Sequence, residues 1–266
     1  MPLVLWPAGA PAPALPARPP SLSVAVLLQL SLLRELFVRR LRAPLRKEMA
    51  GAPRGAGETV WVLPGMGVGD GSTRSLRRYL RRQGFDARGW GLGRNPPDAE
   101  ATLARLLPRL EALVVETGAP VALIGWSLGG LLARELARLR PDLVRHVVTL
   151  GSPVVGGLRH TAIAGFYRLQ GWNLDEIDRL VASANRTPIR VPVTAIWSRR
   201  DGIVAWQAAV DDFTPQVENL EATSCHWALG LDPEVLAALP ERLRRPPGEP
   251  SARSARQSFP GPGRTS

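Results

Sequence analysis

The chain has 266 residues, 45% hydrophobic and 21% charged, and a formal charge of +11 from 34 basic and 23 acidic side chains. That is ordinary globular composition with length for one sizeable core, and it excludes collagenous, coiled-coil and wholly disordered chains. The single cysteine, Cys225, excludes a disulfide scaffold, and one Cys with three His is a poor source of four structural zinc ligands.

Nearly every basic residue is Arg, with Lys47 as the one lysine. A nucleic-acid binder would gather the excess charge into a patch or stripe. Here it is spread, with clusters at Arg39, Arg40, Arg42 and at Arg77, Arg78, Arg81, Arg82. No nucleic-acid partner is expected. The charge reads as a somewhat basic solvated surface.

Residues 1–20 are rich in Pro and Ala, lack periodicity and are expected to be disordered. Residues 22–41 form an apolar helical pattern, but Ser31, Arg34 and Glu35 interrupt it well short of the roughly 20 residues of a membrane span. A charged leader and a small-residue cleavage site are both missing from this stretch, so it does not read as a signal peptide. The helix therefore docks on the domain or lies at a membrane interface, and the Arg39–Lys47 cluster keeps the second option open. The expected location is cytoplasmic, with peripheral contact to the inner membrane as the variant. A Pro/Gly-bearing linker covers 43–57, completing a 1–57 lead-in.

From residue 58 the pattern alternates strand and helix. Strands are predicted at Thr59–Leu63, Phe85–Trp90, Val121–Gly125, His146–Leu150, Val191–Trp197 and Val217–Glu221. Helices are predicted at Ser72–Gln83, Asp98–Thr117, Leu128–Leu139 and Asp232–Arg244. Several strands are short, continuously apolar and β-branched, as parallel strands buried on both faces tend to be. The fold class is therefore α/β, a mostly parallel sheet of about six strands with helices on both faces, spanning 58–245. The tail from 246 to 266 is Pro, Gly, Ser and Arg and is expected to be disordered.

The sharpest motif is Gly125-Trp126-Ser127-Leu128-Gly129. The Gly-x-Ser-x-Gly pattern alone is weak; its setting strengthens it. An apolar strand runs into Gly125 and a strong helix former leaves Gly129. That is the strand–turn–helix of a nucleophile elbow. Such a turn strains the serine backbone and leaves no room for side chains two residues either side.

On these residues the chain resembles the α/β-hydrolase superfamily, chiefly its small bacterial lipase and esterase branch, with a pattern related to the PGAP1-like deacylases. The resemblance covers roughly 58–245. It implies a serine ester hydrolase with the order Ser, acid, His and no metal or cofactor. Of the three histidines, His146 opens a predicted strand and His160 lies in the connection that follows that same strand. Only His226 follows a strand end that faces Ser127 across the sheet top, so it is the expected general base. Asp201, in the loop after the penultimate strand, is the expected acid, with Asp211 and Asp212 as fallbacks.

The resemblance implies an oxyanion hole from the amide of Leu128 and one from the loop Leu63–Ser72, where Met66 is the expected donor. The glycines of that loop lack dinucleotide spacing and no Walker lysine follows, which argues against nucleotide binding. After Leu150-Gly151-Ser152-Pro153, residues 158–190 read as a cap, with Tyr167, Leu169, Trp172, Leu174 and Ile177 as its apolar or aromatic members. The segment Trp90–Asn95 also resembles family sequence but shows no derivable role. The usual first strands of the family are missing. The sheet edge this leaves needs a cover, and the 22–41 helix is the candidate if it docks on the domain. An apolar cap and an apolar helix point to lipid or other hydrophobic acyl esters. The same triad equally serves a thioesterase or acyltransferase, and the fold alone also permits a non-catalytic binding protein.

Overall fold

The computed structural model describes residues 3–7, 10–16, 18–27, 29 and 55–245. The rest of the expected 22–41 helix, most of the linker and the 246–266 tail lie outside the described residues. The strands are β1 (Val4–Leu5), β2 (Thr59–Leu63), β3 (Asp86–Gly89), β4 (Val121–Trp126), β5 (Val144–Leu150), β6 (Val193–Ser198) and β7 (Val217–Ala222). The helices are α1 (residues 22–27), α2 (Arg74–Arg82), α3 (Ala99–Thr117), α4 (Leu128–Leu139), α5 (Ala164–Leu169), α6 (Leu174–Asn185), α7 (Trp206–Ala209) and α8 (Pro233–Arg244). Short 3-10 turns occupy Gly157–His160 and His226–Leu231.

The strands join into one sheet in the order β1-β7-β6-β5-β4-β2-β3. All pairings are parallel except β1 with β7. Alternation along each strand splits the core. Val60, Val62, Ala122 and Ile124 face α2 and α8 through Leu76, Leu80, Leu239 and Leu243. Trp61, Leu63, Val121 and Leu123 face α3 and α4 through Leu106, Leu110, Leu132 and Leu136. Each of these buried aliphatic side chains contributes about 1.5–3 kcal/mol relative to exposure. Helix ends follow local chemistry. Asp98 caps α3 by accepting from the Ala101 amide at 3.0 Å, and Gly118 ends it at φ 70°.

One expectation is corrected at the sheet edge. Residues 3–7 do not lack structure: β1 adds an antiparallel seventh strand, with Val4 opposite Glu221 and Leu5 opposite Leu220. The edge of β7 is therefore covered by a strand; the other edge of the sheet is β3, and most of the 22–41 segment expected to cover an edge lies outside the described residues. An extended segment can satisfy the row of unpaired main-chain groups on a sheet edge, which a helix cannot. Trp6 locks this strand in place. Its ring lies 5.6 Å from that of Trp197 and 6.1 Å from that of Trp206, and Arg199 sits 4.2 Å over Trp206. In α1, Ala25 is buried while Leu22, Val24, Val26 and Leu27 are exposed. Among the described residues no helix is long and apolar enough to cross a membrane.

His146, in the middle of the sheet on β5, shares a 3.0 Å hydrogen bond with the Thr194 hydroxyl. Burial, reinforced by Arg245, Arg145 and Arg242, pushes its pKa down from 6.5 to about 3. The unfolded chain therefore takes up a proton below pH 6.5 that the folded chain refuses. Stability from this site is complete above pH 6.5 and falls as the pH drops toward 3, by up to about 1.4 kcal/mol per pH unit. Urea unfolding of His146→Gln between pH 7 and 4 should show a shallower acid loss than the wild type. Identical slopes would contradict this origin for acid sensitivity.

Candidate active site

The parallel register brings the carboxyl ends of β4, β5, β6 and β7 to one rim, and the sequence loads that rim with Ser127, Gly151, Asp201 and His226. Ser127 closes β4 and opens α4 with φ 55° and ψ −120°. It is the only non-glycine residue with positive φ among the described residues. Tight packing imposes this conformation. A Cβ on Gly125 would collide with the Gly129 carbonyl, and one on Gly129 with the carbonyls of Leu63 and Pro64. The first turn of α4 is thus pressed onto the end of β2, and the serine must turn outward. Its amide donates to Leu150 O at 2.9 Å, which pins the turn to β5.

Asp201 and His226 meet one strand farther along. His226 Nδ1 lies 2.7 Å from Asp201 Oδ2, with both side chains almost fully buried. Asp201 Oδ1 accepts from the amides of Ile203 at 3.0 Å and Val204 at 2.6 Å. The carboxylate can only accept, so in the neutral imidazole Nδ1 carries the proton and Nε2 keeps the lone pair. The His226 amide donates to Asp201 O at 3.0 Å, a second tie between the two loops. Trp126, next to Ser127, donates from its indole to His226 O at 3.2 Å, and the two rings lie 5.6 Å apart. That places the imidazole beside the elbow. Among the described residues no hydrogen bond joins Ser127 Oγ to the imidazole. Such contacts often tighten only when substrate is bound.

Leu128 follows the serine directly, and the loop that carries Met66 passes beside it. A Cβ on Gly65, the residue before Met66, would lie 3.5 Å from Ser127 Cβ. Neither the Met66 nor the Leu128 amide is used in a turn, loop or cap hydrogen bond among the described residues. The cap reaches the same loop, because the Tyr167 hydroxyl contacts Met66 Sδ at 3.0 Å. Burial raises the Tyr167 pKa, keeping that hydroxyl protonated. Of the apolar cap residues expected from sequence, Leu174 is buried and Leu169 is exposed.

The fallback acids lie elsewhere. Asp211 is fully buried in an ion pair with Arg134 of α4, and it accepts from the Thr214 hydroxyl at 2.7 Å. Arg134 in turn reaches Asn185 of α6 at 3.2 Å. This network joins α4, the cap and the loop before β7. Asp212 is exposed. His160 packs in the turn before α5, with its ring against Gly156, and burial lowers its pKa.

Three further residues support the site in roles that their sequence setting does not reveal. Asn95 holds the loop after β2, donating from Nδ2 to Pro64 O at 2.8 Å while its main-chain carbonyl accepts from Gly67 N at 2.7 Å. This gives the Trp90–Asn95 segment its role as a splint for that loop. Asp70 ties the loop's far end to the Trp90 and Gly91 amides at 2.9 and 3.1 Å. Gly151, at φ 56°, leaves room for the acid–base pair, since a Cβ there would lie 2.7 Å from Asp201 Oδ2 and 3.0 Å from His226 Nδ1.

A sequence profile described as alpha/beta hydrolase fold matches residues 83–178. Solved structures superpose over most of the chain. Paleococcus ferrophilus monoacylglycerol lipase aligns with TM-score 0.55 and 17% identity, over 72% of this chain and 95% of that one. The Pyrococcus furiosus esterase Pf2001 aligns with TM-score 0.56 and 18% identity, over 73% and 85%. Aspergillus fumigatus lipase B gives 0.59 and 20%, over 76% and 56%. The chain has the α/β-hydrolase fold. Among curated sequences, polyketide synthase ThaQ of Burkholderia thailandensis is 36% identical over 107 residues, 37% of this chain. The chain spans about 5% of that protein's length.

Within this α/β-hydrolase fold, the strain at Ser127 is measurable. A non-glycine residue in that backbone region costs about 1–3 kcal/mol, against up to about 1 kcal/mol of extra entropy lost by glycine on folding. Ser127→Gly should therefore be more stable than Ser127→Ala by about 1 kcal/mol in denaturant unfolding. Equal stability, or a more stable alanine variant, would show that the turn is not strained.

Proposed function

We propose that the protein is a serine ester hydrolase acting on carboxylic esters with hydrophobic acyl groups. The observation that carries this reading is the buried His226–Asp201 pair at 2.7 Å beside a strained Ser127. Ser127 Oγ attacks the acyl carbonyl while His226 Nε2 takes its proton. Asp201 keeps the proton on Nδ1 and stabilises the imidazolium that forms. The Met66 and Leu128 amides hold the oxyanion, helped by the positive end of the α4 dipole. The imidazolium returns its proton to the leaving alcohol, and water then releases the acid from the acyl-enzyme by the same steps in reverse order. The exposed apolar side chains of α1 and of α5, Phe166 and Leu169 among them, support a lipid-like substrate met at an apolar surface.

The match to a segment of polyketide synthase ThaQ is the observation behind a second reading: cleavage or transfer of an acyl thioester by the same three residues. Turnover of an acyl ester and its matched thioester, compared by kcat/KM, separates the two.

Mutation tests the assignment. Ser127→Ala and Asp201→Asn should fold yet lose about 10⁴-fold in kcat on a short p-nitrophenyl ester, the asparagine by favouring the wrong imidazole tautomer. Asp211→Asn should instead lower stability by about 3–5 kcal/mol, because it strands Arg134 as an uncompensated buried charge. Asp212→Asn should change neither. Equal, small rate losses at Asp201, Asp211 and Asp212 would mean that the acid has been misassigned.

A further inference from the structure

The arm ahead of the hydrolase domain touches the acid–base half of the site at three points. β1 pairs with β7, the strand that leads to His226. Trp6 packs edge-on against Trp197 of β6, the strand that leads to Asp201. The third point is Gln29, 172 residues from Asp201 in sequence. Its Nε2 donates to Asp201 O at 2.8 Å, and its Oε1 accepts from the Trp227 amide at 3.2 Å.

We propose that Gln29 is a positioning residue: its one amide side chain bridges the Asp201 loop and the His226 turn and holds the acid and base in register. This rests on the serine-hydrolase reading above.

The chemistry of the bridge is specific. The Asp201 carbonyl already accepts from His226 N at 3.0 Å, so its second lone pair is the one that Gln29 fills. The Trp227 amide belongs to the residue directly after the base. A side chain that donates to one loop and accepts from the other must carry both functions at its tip, and of the side chains long enough only an amide does so without titrating. Both contacts are to main chain, so the bridge fixes where the loops sit rather than the charge of either side chain. The sheet itself supports Asp201 and His226 only at the ends of β6 and β7. Beyond those ends the two loops are tied by His226 N to Asp201 O, by the imidazole–carboxylate bond and by Gln29. Loss of Gln29 leaves the pair free to drift relative to Ser127, and a displacement of about 1 Å at a reacting group can cost about 10²-fold in rate. Both Gln29 contacts are to the Asp201 loop and the His226 turn, so the expected loss falls on kcat rather than on KM.

The test uses the full-length chain and a short p-nitrophenyl ester. Gln29→Ala should lower kcat by about tenfold with KM within twofold of wild type, at a melting temperature within a few degrees. Gln29→Glu keeps the shape and the acceptor for Trp227 N but sets an acceptor against Asp201 O. It should lose at least as much kcat as the alanine variant. Wild-type kcat in either variant overturns the proposal, and so does a loss carried by KM alone. If the wild-type chain has no ester turnover that Ser127→Ala removes, the serine-hydrolase reading fails and takes this proposal with it. Wild-type turnover that is intact and unaffected by Gln29 removes the bridge alone.

Discussion

The site depends on one steric constraint, the contact of the first turn of α4 with the end of β2. Gly129 sits directly on the carbonyls of Leu63 and Pro64, and Gly125 on that of Gly129. With both neighbours reduced to backbone, the chain reverses at Ser127 with φ 55°. Everything else is placed relative to that turn. The loop that leaves β2 runs past the serine because α4 is packed on β2. Asn95 holds that loop in place through Pro64 and Gly67.

The acid–base half has a different source of order. Parallel pairing sets β5, β6 and β7 side by side, so their carboxyl ends deliver Gly151, Asp201 and His226 in a row. Gly151 is the narrow point of that row. Its missing side chain is what lets Asp201 Oδ2 and His226 Nδ1 approach across the end of β5. The buried Arg134–Asp211 pair then locks α4 to the cap and to the loop before β7. In this arrangement two carboxylates close in sequence have different partners: Asp211 holds Arg134 of α4, and Asp201 holds the His226 imidazole.

Much of this was legible in the sequence, because the signals were local. The alternating apolar strands, the Leu128–Leu139 helix and the Gly125–Gly129 elbow depend on residues within a few positions of one another. Asp201 and His226 were legible because each follows a strand in a short polar loop. The edge strand was not. Val4–Leu5 is two residues in a Pro-rich stretch, and its pairing is with Glu221 and Leu220, far along the chain. Nor were Asn95, Asp70 and Gln29. Each acts through a single side chain on distant main-chain groups, which leaves no periodicity and no spacing rule. The choice between Asp201 and Asp211 needed three dimensions for the same reason, since only the fold shows that Arg134 occupies one of them.

The central claim is that Ser127 is a nucleophile activated by the His226–Asp201 pair. The most direct measurement is mass spectrometry of the native chain after treatment with a fluorophosphonate. The account predicts one adduct, on Ser127, formed by the folded wild-type protein and lost when the chain is denatured first or when His226 is replaced by Ala. An unmodified Ser127, or labelling at other serines that is indifferent to His226, would contradict it.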